Sequence, residues 1–445
     1  MVDNLLEKIA RLEEKHNKLD PEFVKKKNIK LGLRNLDGTG VVVGITSKGQ
    51  VRGYEKDKWG KSRPTPGKIY YCGIDVKEIV DNIEKEKRFG FEEVAYLLLT
   101  GKLPTAEDLH GFLHELGVKR RIPDVAKKVI RFNSRNNDQM GALHAAVSSL
   151  HKFDPDPRST DIRDVTRQCV DLIAKFPTII AYNYCVLRSN GSRTHPTFVP
   201  PESSLSTAQN FFYMVQGKIP DDEIAHVFDI ALILHAEHGG GNNSTFTVRT
   251  VSSSLTDTYM AMCAGIASLS GHLHGGANEA VMNMMEGIKK DVKDWNDDDE
   301  IVSCLENILD GKSGDRSGKI YGLGHAVYTI SDPRATILKE KARTFASKKG
   351  RLDEFNLYEK VAEQSVRLIR RKKGKKVSPN VDFYSGFVYD MMGIPSELFT
   401  PIFAMSRIAG WSAHRIEEII QGRLIRPAYI SSWNKPITYT PIKKR

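Results

Sequence analysis

The chain has 445 residues, room for two or three domains with a substantial core, and its 40% hydrophobic and 27% charged content is that of an ordinary soluble globular protein. Its net charge of +11 is spread along the whole chain without a helix-turn-helix, zinc-finger or RNA-binding signature, so small polyanions are expected as ligands and nucleic acid is not. Five cysteines without a CxxC pair argue against a disulfide framework and for a reducing, cytoplasmic setting, and no apolar run approaches the roughly 20 residues of a membrane span.

The amphipathic, acid-bearing start (Leu5, Ile9, Leu12) resembles neither a secretory signal nor a transit peptide. Val41–Tyr54 places β-branched residues around Lys48-Gly49 and predicts a β-hairpin, and Lys68–Cys72 predicts a further short strand. Beyond this the pattern is helical. Phe91–Leu99 is apolar and stops at Gly101. The next helix, over Pro104–Leu116, opens with a capping box from Thr105 to Asp108 and aligns Leu109, Phe112, Leu113 and Leu116. A similar helix–Gly–Pro–helix connection returns in QGKIPDDEI, without the fixed period of a repeat protein.

Asp221 caps a segment that is apolar nearly all round (Val227, Phe228, Ile230, Ala231, Leu232, Leu234), which predicts a buried central helix. It runs out in HAEHGGGNNST. His235 reads as a core histidine that satisfies a hydrogen bond, whereas His238 lies past the helix end among glycines, where a ligand could reach it. The two have metal-ligand spacing but no third ligand nearby, so no metal is expected.

Tyr259–Leu269 predicts a second buried helix and delivers SGHLHGGANEAVMNMM, in which Ala277, Ala280, Val281, Met284 and Met285 share a helix face. His274 therefore stands at or just before a helix N-terminus, where unpaired N–H groups and the macrodipole disfavour a positive charge. A histidine kept neutral in this way can polarise a carbonyl. Gly275 and Gly276 allow close approach to the backbone. Lys289–Asp299 reads as a polar surface loop. In SGKIYGLGHAVYTISDPRA, Gly322 and Gly324 bracket His325, and Asp332-Pro333-Arg334 forms a turn that fixes an arginine. Val327 stands where GxGxxG needs its third glycine, so a Rossmann reading fails. The intensely basic run Arg367–Lys376 is by default a solvated surface. PNVDFYSG follows it at once and sets Asp382 behind a proline turn close to cations, where it should stay ionised at neutral pH and can act as a base.

LHGGAN around His274, GLGHAVY and DPRA around His325, PNVDFYSG around Asp382 and MSRIAGW around Arg407 together resemble the citrate synthase family. GLRNLDGTG, FEEVAYLLLTGKLPT and LILHAEHGGGNNST are also similar to family segments, in the expected order, so the resemblance covers nearly the entire chain. It implies a mainly α, two-domain helical fold with a small N-terminal β-hairpin. The large domain would span 1–275, completed by 388–445, and the small domain 276–387, with the site in a cleft closed by domain rotation. It also implies a homodimer, with neither nucleic acid nor membrane as partner.

The resemblance further implies an acyltransferase of the tricarboxylic acid cycle that condenses acetyl-CoA with oxaloacetate and hydrolyses citryl-CoA to citrate and CoA. The coenzyme A thioester is then a co-substrate, with no tightly bound cofactor and no metal. Asp382 would take a proton from the acetyl methyl group, His274 would hydrogen-bond the thioester oxygen, and His325 would bind and protonate the oxaloacetate ketone. His238, Arg334 and Arg407 would hold oxaloacetate, with Arg426 reaching in from the neighbouring subunit. These residue types suit the chemistry: forked guanidiniums match carboxylates, and an acid–histidine pair avoids a free carbanion. Leu273, Gly322, Leu323, Gly324 and Asn380 would contact coenzyme A, and Arg34 its phosphates. Thr329, Cys72 and Gly239 depart from residue types common in the family, and the basic run before Asp382 is the candidate replacement for lost phosphate contacts. The alternative is 2-methylcitrate synthase, the same machinery with propionyl-CoA, because one methylene shifts selectivity by only ~1–3 kcal/mol. A catalytically silent regulatory relative is disfavoured by the joint presence of His274, His325 and Asp382. A zinc hydrolase built on His235 and His238 lacks a third ligand.

Overall fold

The computed structural model describes residues 2–59, 61–133, 138–189, 198–432 and 438–444. The chain divides into two compact units, Met1–Ile45 and Thr46–Arg445. The first carries α1 (Val2–His16) and α2 (Pro21–Lys26), the latter capped by Asp20. Leu5, Ile9 and Leu12 are all exposed on α1, and Val24 is the one buried apolar side chain of this unit among the described residues.

The second unit opens with an antiparallel sheet of β1 (Gly49–Lys56), β2 (Ser62–Tyr71) and β3 (Ile74–Asp75), in that order. The hairpin therefore lies further along the chain than its sequence pattern suggests. Gly49 starts the first strand instead of making the turn, and residues 41–45 form no strand. Val42, Val43 and Ile45 are exposed, so their β-branched side chains have no face to pack on. Of the partner strand the sequence shows only the end, as Lys68–Cys72, because Pro64 and Pro66 disguise its start. Both prolines are tolerated because β3 pairs only with Tyr70 and Tyr71, so no strand lies beyond the prolines, and Gly67 N–H donates instead to Ser331 O at 3.1 Å.

All remaining elements are helical, so the fold is mainly α as expected. In chain order come α3 (Val76–Glu86), α4 (Phe91–Thr100), α5 (Ala106–Lys119), α6 (Asp124–Asn133), α7 (Gln139–Leu150) and α8 (Ile162–Arg188). Next are α9 (Thr207–Gln216), α10 (Asp222–His235), α11 (Asn243–Ser252), α12 (Thr258–Leu269) and α13 (Ala277–Asp291). The series closes with α14 (Asp298–Leu309), α15 (Pro333–Lys348), α16 (Leu352–Lys373), α17 (Val381–Met391) and α18 (Phe399–Gln421). The capping box of Thr105 and Asp108 starts α5 with both reciprocal bonds made. The loop expected over Lys289–Asp299 is shorter, because α13 continues to Asp291 and α14 begins at Asp298.

The core is organised on α18, which packs against α8, α11, α4, α12 and α10. Its face toward α10 is continuous with that helix's buried run from Val227 to His235. By length and composition α8 could cross a membrane, an outcome that unbroken apolar runs did not reveal because charges interrupt it. Within the protein, 72% of its apolar window is buried, as in a core helix. Toward the C-terminus α17 packs on α13 and α15, and α16 on α14 and α15.

Candidate active site

His274 lies in the turn between α12 and α13, where its N–H donates to Gly271 O at 2.9 Å. Its Nε2 is 2.9 Å from Ser244 Oγ and 3.3 Å from the Ser244 backbone nitrogen, at the start of α11. A backbone N–H can only donate, so Nε2 accepts and the ring proton is assigned to Nδ1. Trp411 Nε1 donates to the same Ser244 hydroxyl at 3.2 Å, tying the arrangement to α18. Burial, reinforced by the Arg407 charge, pushes His274 down to about 4, so the imidazole is neutral at physiological pH.

The segments that carry His325 and Asp382 are joined backbone to backbone. Leu323 and Pro379 form an antiparallel bridge, Gly324 N–H donates to Ser378 O at 2.8 Å and Asn380 N–H to Gly322 O at 2.9 Å. The Asn380 side chain adds a bond to Gly324 O at 2.9 Å. Gly322 is required here: its φ is +73°, and a Cβ would stand 2.8 Å from the side chains of Phe383 and Val281. His325 Nδ1 accepts from the N–H groups of Val327 at 3.0 Å and Tyr328 at 3.3 Å, which assigns the ring proton to Nε2.

Asn380 also caps α17, accepting from Asp382 N–H at 3.0 Å, so Asp382 is the second residue of that helix. Burial raises the Asp382 carboxyl to about 6, against the opposing pull of Arg334 and Arg407. It is therefore ionised at neutral pH as expected. The cations that act on it, however, are these two arginines and not the basic run.

His238 is buried, with its ring edge-on to His325 at 4.9 Å and to Tyr328 at 5.6 Å between centroids. Arg407 is wholly buried on α18, donates from Nε to His235 O at 2.6 Å and lies 4.7 Å over the Phe403 ring. His238 Nε2 and Arg407 Nη1 and Nη2 have no hydrogen-bond partner among the described residues. Buried polar atoms are nearly always paired, so three orphans in one cluster point to an anionic ligand. Arg334, also buried, is gripped by Asp332 through Nε at 3.1 Å and Nη2 at 2.8 Å. His235 is buried in the core as expected, and its Nδ1 has no hydrogen-bond partner among the described residues. Among the described residues, no three His, Cys, Asp or Glu side chains are grouped to hold a metal ion.

His238, His325, Arg334, Asp382 and Arg407 thus interact through ring contacts and charge, and His274 joins them through the Arg407 charge and the Phe403 ring that both approach. The remaining expected contacts are Leu273, Arg426 and Arg34. Leu273 is 96% exposed in the turn beside His274. Arg426 is exposed on the extended segment after α18. Arg34 belongs to the first unit and donates to Gly38 O at 3.2 Å. The basic run ends α16 at the surface, with Arg367, Arg371 and Lys372 paired to Glu363, Glu306 and Asp310. Thr329 is 2.6 Å from the Tyr54 hydroxyl. Asp332 fixes Arg334 as the turn suggested, whereas sequence reasoning missed Ser244 and Phe403 as parts of the site. Phe403 could have been found one turn before Arg407 on the same helix. Ser244 carries no local signal, because its role comes from a residue thirty positions away.

Comparison with known proteins converges on one group. The family described as citrate synthase, C-terminal domain, matches residues 36–428. A citrate synthase of Deinococcus radiodurans is 39% identical over 381 residues, covering 85% of this chain and 93% of the relative. A 2-methylcitrate synthase of Shewanella oneidensis is 34% identical over 377 residues, with 85% and 92% covered. Among solved structures, the citrate synthase of Thermoplasma acidophilum in ternary complex with carboxymethyl coenzyme A and oxaloacetate superposes with a TM-score of 0.76 at 28% identity. That match covers 94% of this chain and 99% of the other.

Proposed function

The chain belongs to the citrate synthase family, an acyltransferase group, and from that premise we propose that it condenses acetyl-CoA with oxaloacetate and hydrolyses citryl-CoA. The observation that carries this reading is the orphaned trio of His238 Nε2 and Arg407 Nη1 and Nη2, a buried receptacle for carboxylate oxygens beside two histidines of assigned tautomer and a carboxyl of raised pKa. Oxaloacetate is held through its carboxylates by Arg407, His238 and Arg334, with Arg426 supplied by a second subunit of a homodimer. Its ketone faces His325, whose ring proton is assigned to Nε2.

Asp382 takes a proton from the methyl group of the acetyl thioester. A carboxyl at about 6 is a stronger base than an ordinary one and is still ionised at neutral pH. The charge that develops on the thioester oxygen is met by Nδ1–H of neutral His274, oriented by Ser244. The nucleophilic carbon then attacks the ketone, and His325 delivers its Nε2 proton to the forming alkoxide. Water cleaves citryl-CoA to citrate and CoA. Coenzyme A lies along Leu273, the Gly322–Gly324 backbone and Asn380, with Arg34 as a phosphate contact.

The packing of α13 to α17 on one another supports a small domain over 276–387 that closes on a large domain of 1–275 and 388–445. A cytoplasmic setting accords with the five free cysteines. The second reading, 2-methylcitrate synthase, is favoured by relatives of that name at 34% identity, which overlap the 34–39% of relatives named citrate synthase. Thiol release with oxaloacetate and either acyl-CoA, in EDTA, decides between them. The proposal requires higher kcat/KM with acetyl-CoA, and propionyl-CoA at or above parity moves the assignment to methylcitrate.

A further inference from the structure

Arg407, Gly410 and His414 stand at i, i+3 and i+7 on α18 and so share one face of the helix. Glu237, between the end of α10 and His238, is wholly buried against that face. A Cβ on Gly410 would stand 2.6 Å from its Oε2 and one on Gly49 would stand 2.5 Å from its Oε1, so two glycines make the space the carboxylate fills. Glu237 therefore lies about one helical turn from Arg407 on one side and from His414 on the other.

Its hydrogen bonds leave Arg407 out. Oε1 accepts from His414 Nε2 at 3.0 Å and from Gly239 N–H. Oε2 has no partner among the described residues, and neither do Nη1 and Nη2 of Arg407. His414 is itself fixed in place. Its Nδ1 is 2.9 Å from Arg249 Nη1, which can only donate, so the ring proton is assigned to Nε2, facing Glu237. Arg249 is anchored in turn 2.6 Å from Glu417 Oε2 and 2.8 Å from Glu418 Oε2, and Ser47 N–H donates to Glu417 Oε1 at 2.8 Å.

A buried carboxylate and a buried guanidinium with open donors attract each other strongly. A direct pair would occupy the donors on which substrate binding depends. We propose that His414 is a positioning residue that holds Glu237 off Arg407, keeping the Arg407 fork open to a carboxylate of oxaloacetate while Glu237 serves as a counter-charge at a distance. This rests on the reading of Arg407 as an oxaloacetate ligand.

The test is KM for oxaloacetate against kcat in three variants, each checked for folding by circular dichroism and Tm. His414→Phe keeps a ring but removes the donor, so Glu237 is free to compete with substrate. KM should rise about tenfold or more, with kcat within about threefold. The double variant His414→Phe/Glu237→Gln offers Arg407 no charge and should return KM to within about threefold of wild type, a rescue that a merely structural role would not give. Glu237→Gln alone should leave KM at or below the wild-type value, and this arm decides the question if His414→Phe does not fold. An unmoved KM in folded His414→Phe, a double variant as impaired as the single, or a tenfold rise in Glu237→Gln overturns the proposal. If the wild-type enzyme shows no saturable dependence on oxaloacetate, the functional reading itself falls and takes this proposal with it.

Discussion

Burial moves the two central groups in opposite directions, lifting Asp382 to about 6 and lowering His274 to about 4. Only the ionised form of Asp382 can accept a proton, so kcat/KM should fall as pH drops through about 6 and reach a plateau above it. His274 is neutral across that window and adds no limb. A profile flat down to pH 5 would remove Asp382 from the base role. The linkage to stability has the opposite sign. The folded state holds the Asp382 proton more tightly than the unfolded chain, so its contribution is present at low pH and is lost as pH rises from about 4 to 6. Asp382→Asn should accordingly raise Tm at pH 8 while abolishing turnover, and a lower Tm there would contradict the assigned shift. Much of this was legible in the sequence, where the glycine-flanked helix start already marks His274 as a neutral donor. The direction of the Asp382 shift was not, because nearby cations in sequence argue for a low pKa and only the fold shows that desolvation outweighs them.

At the scale of elements, the join between 322–324 and 378–380 makes one rigid piece of two loops distant in sequence. Gly322→Ala should strain it twice, through a positive φ and through contacts with Phe383 and Val281, at a cost of about 1–3 kcal/mol. Tm and kcat should fall together, since the same piece aligns His325 and Asp382. Loss of stability without loss of kcat would show that the join does not position them. Along α16, Arg371 and Lys372 are already engaged by Glu306 and Asp310, so any hold on the phosphates of coenzyme A falls to the other cations of the run, among them Lys375 and Lys376. The Lys375→Gln/Lys376→Gln variant should raise KM for acetyl-CoA and flatten its salt dependence. An unchanged KM returns the run to a solvated surface. The capped start of α5 could be read from sequence almost to the residue, whereas its end at Lys119 lies beyond the expected Leu116. The hairpin could be read only in part, because Pro64 and Pro66 hid the start of its second strand.

For the whole molecule, the fold class followed from helical punctuation and from four motifs in order, whereas the assembly of the site from distant segments needed the structure. Arg426 is the residue this scale leaves open, since it stands exposed on its own chain. If it acts in trans, inactive His274→Ala and Arg426→Ala homodimers co-refolded together should regain roughly a quarter of wild-type activity, because one site in each mixed dimer is then intact. Mixed dimers without any recovery would rule out a shared site. The most direct test of the central claim is oxaloacetate-dependent thiol release from acetyl-CoA by the wild-type enzyme beside folded His274→Ala and Asp382→Asn. The account predicts release that strictly requires oxaloacetate and falls by ~10²–10⁴ in His274→Ala and at least as far in Asp382→Asn. Release without oxaloacetate, or near-normal turnover in either variant, would contradict it.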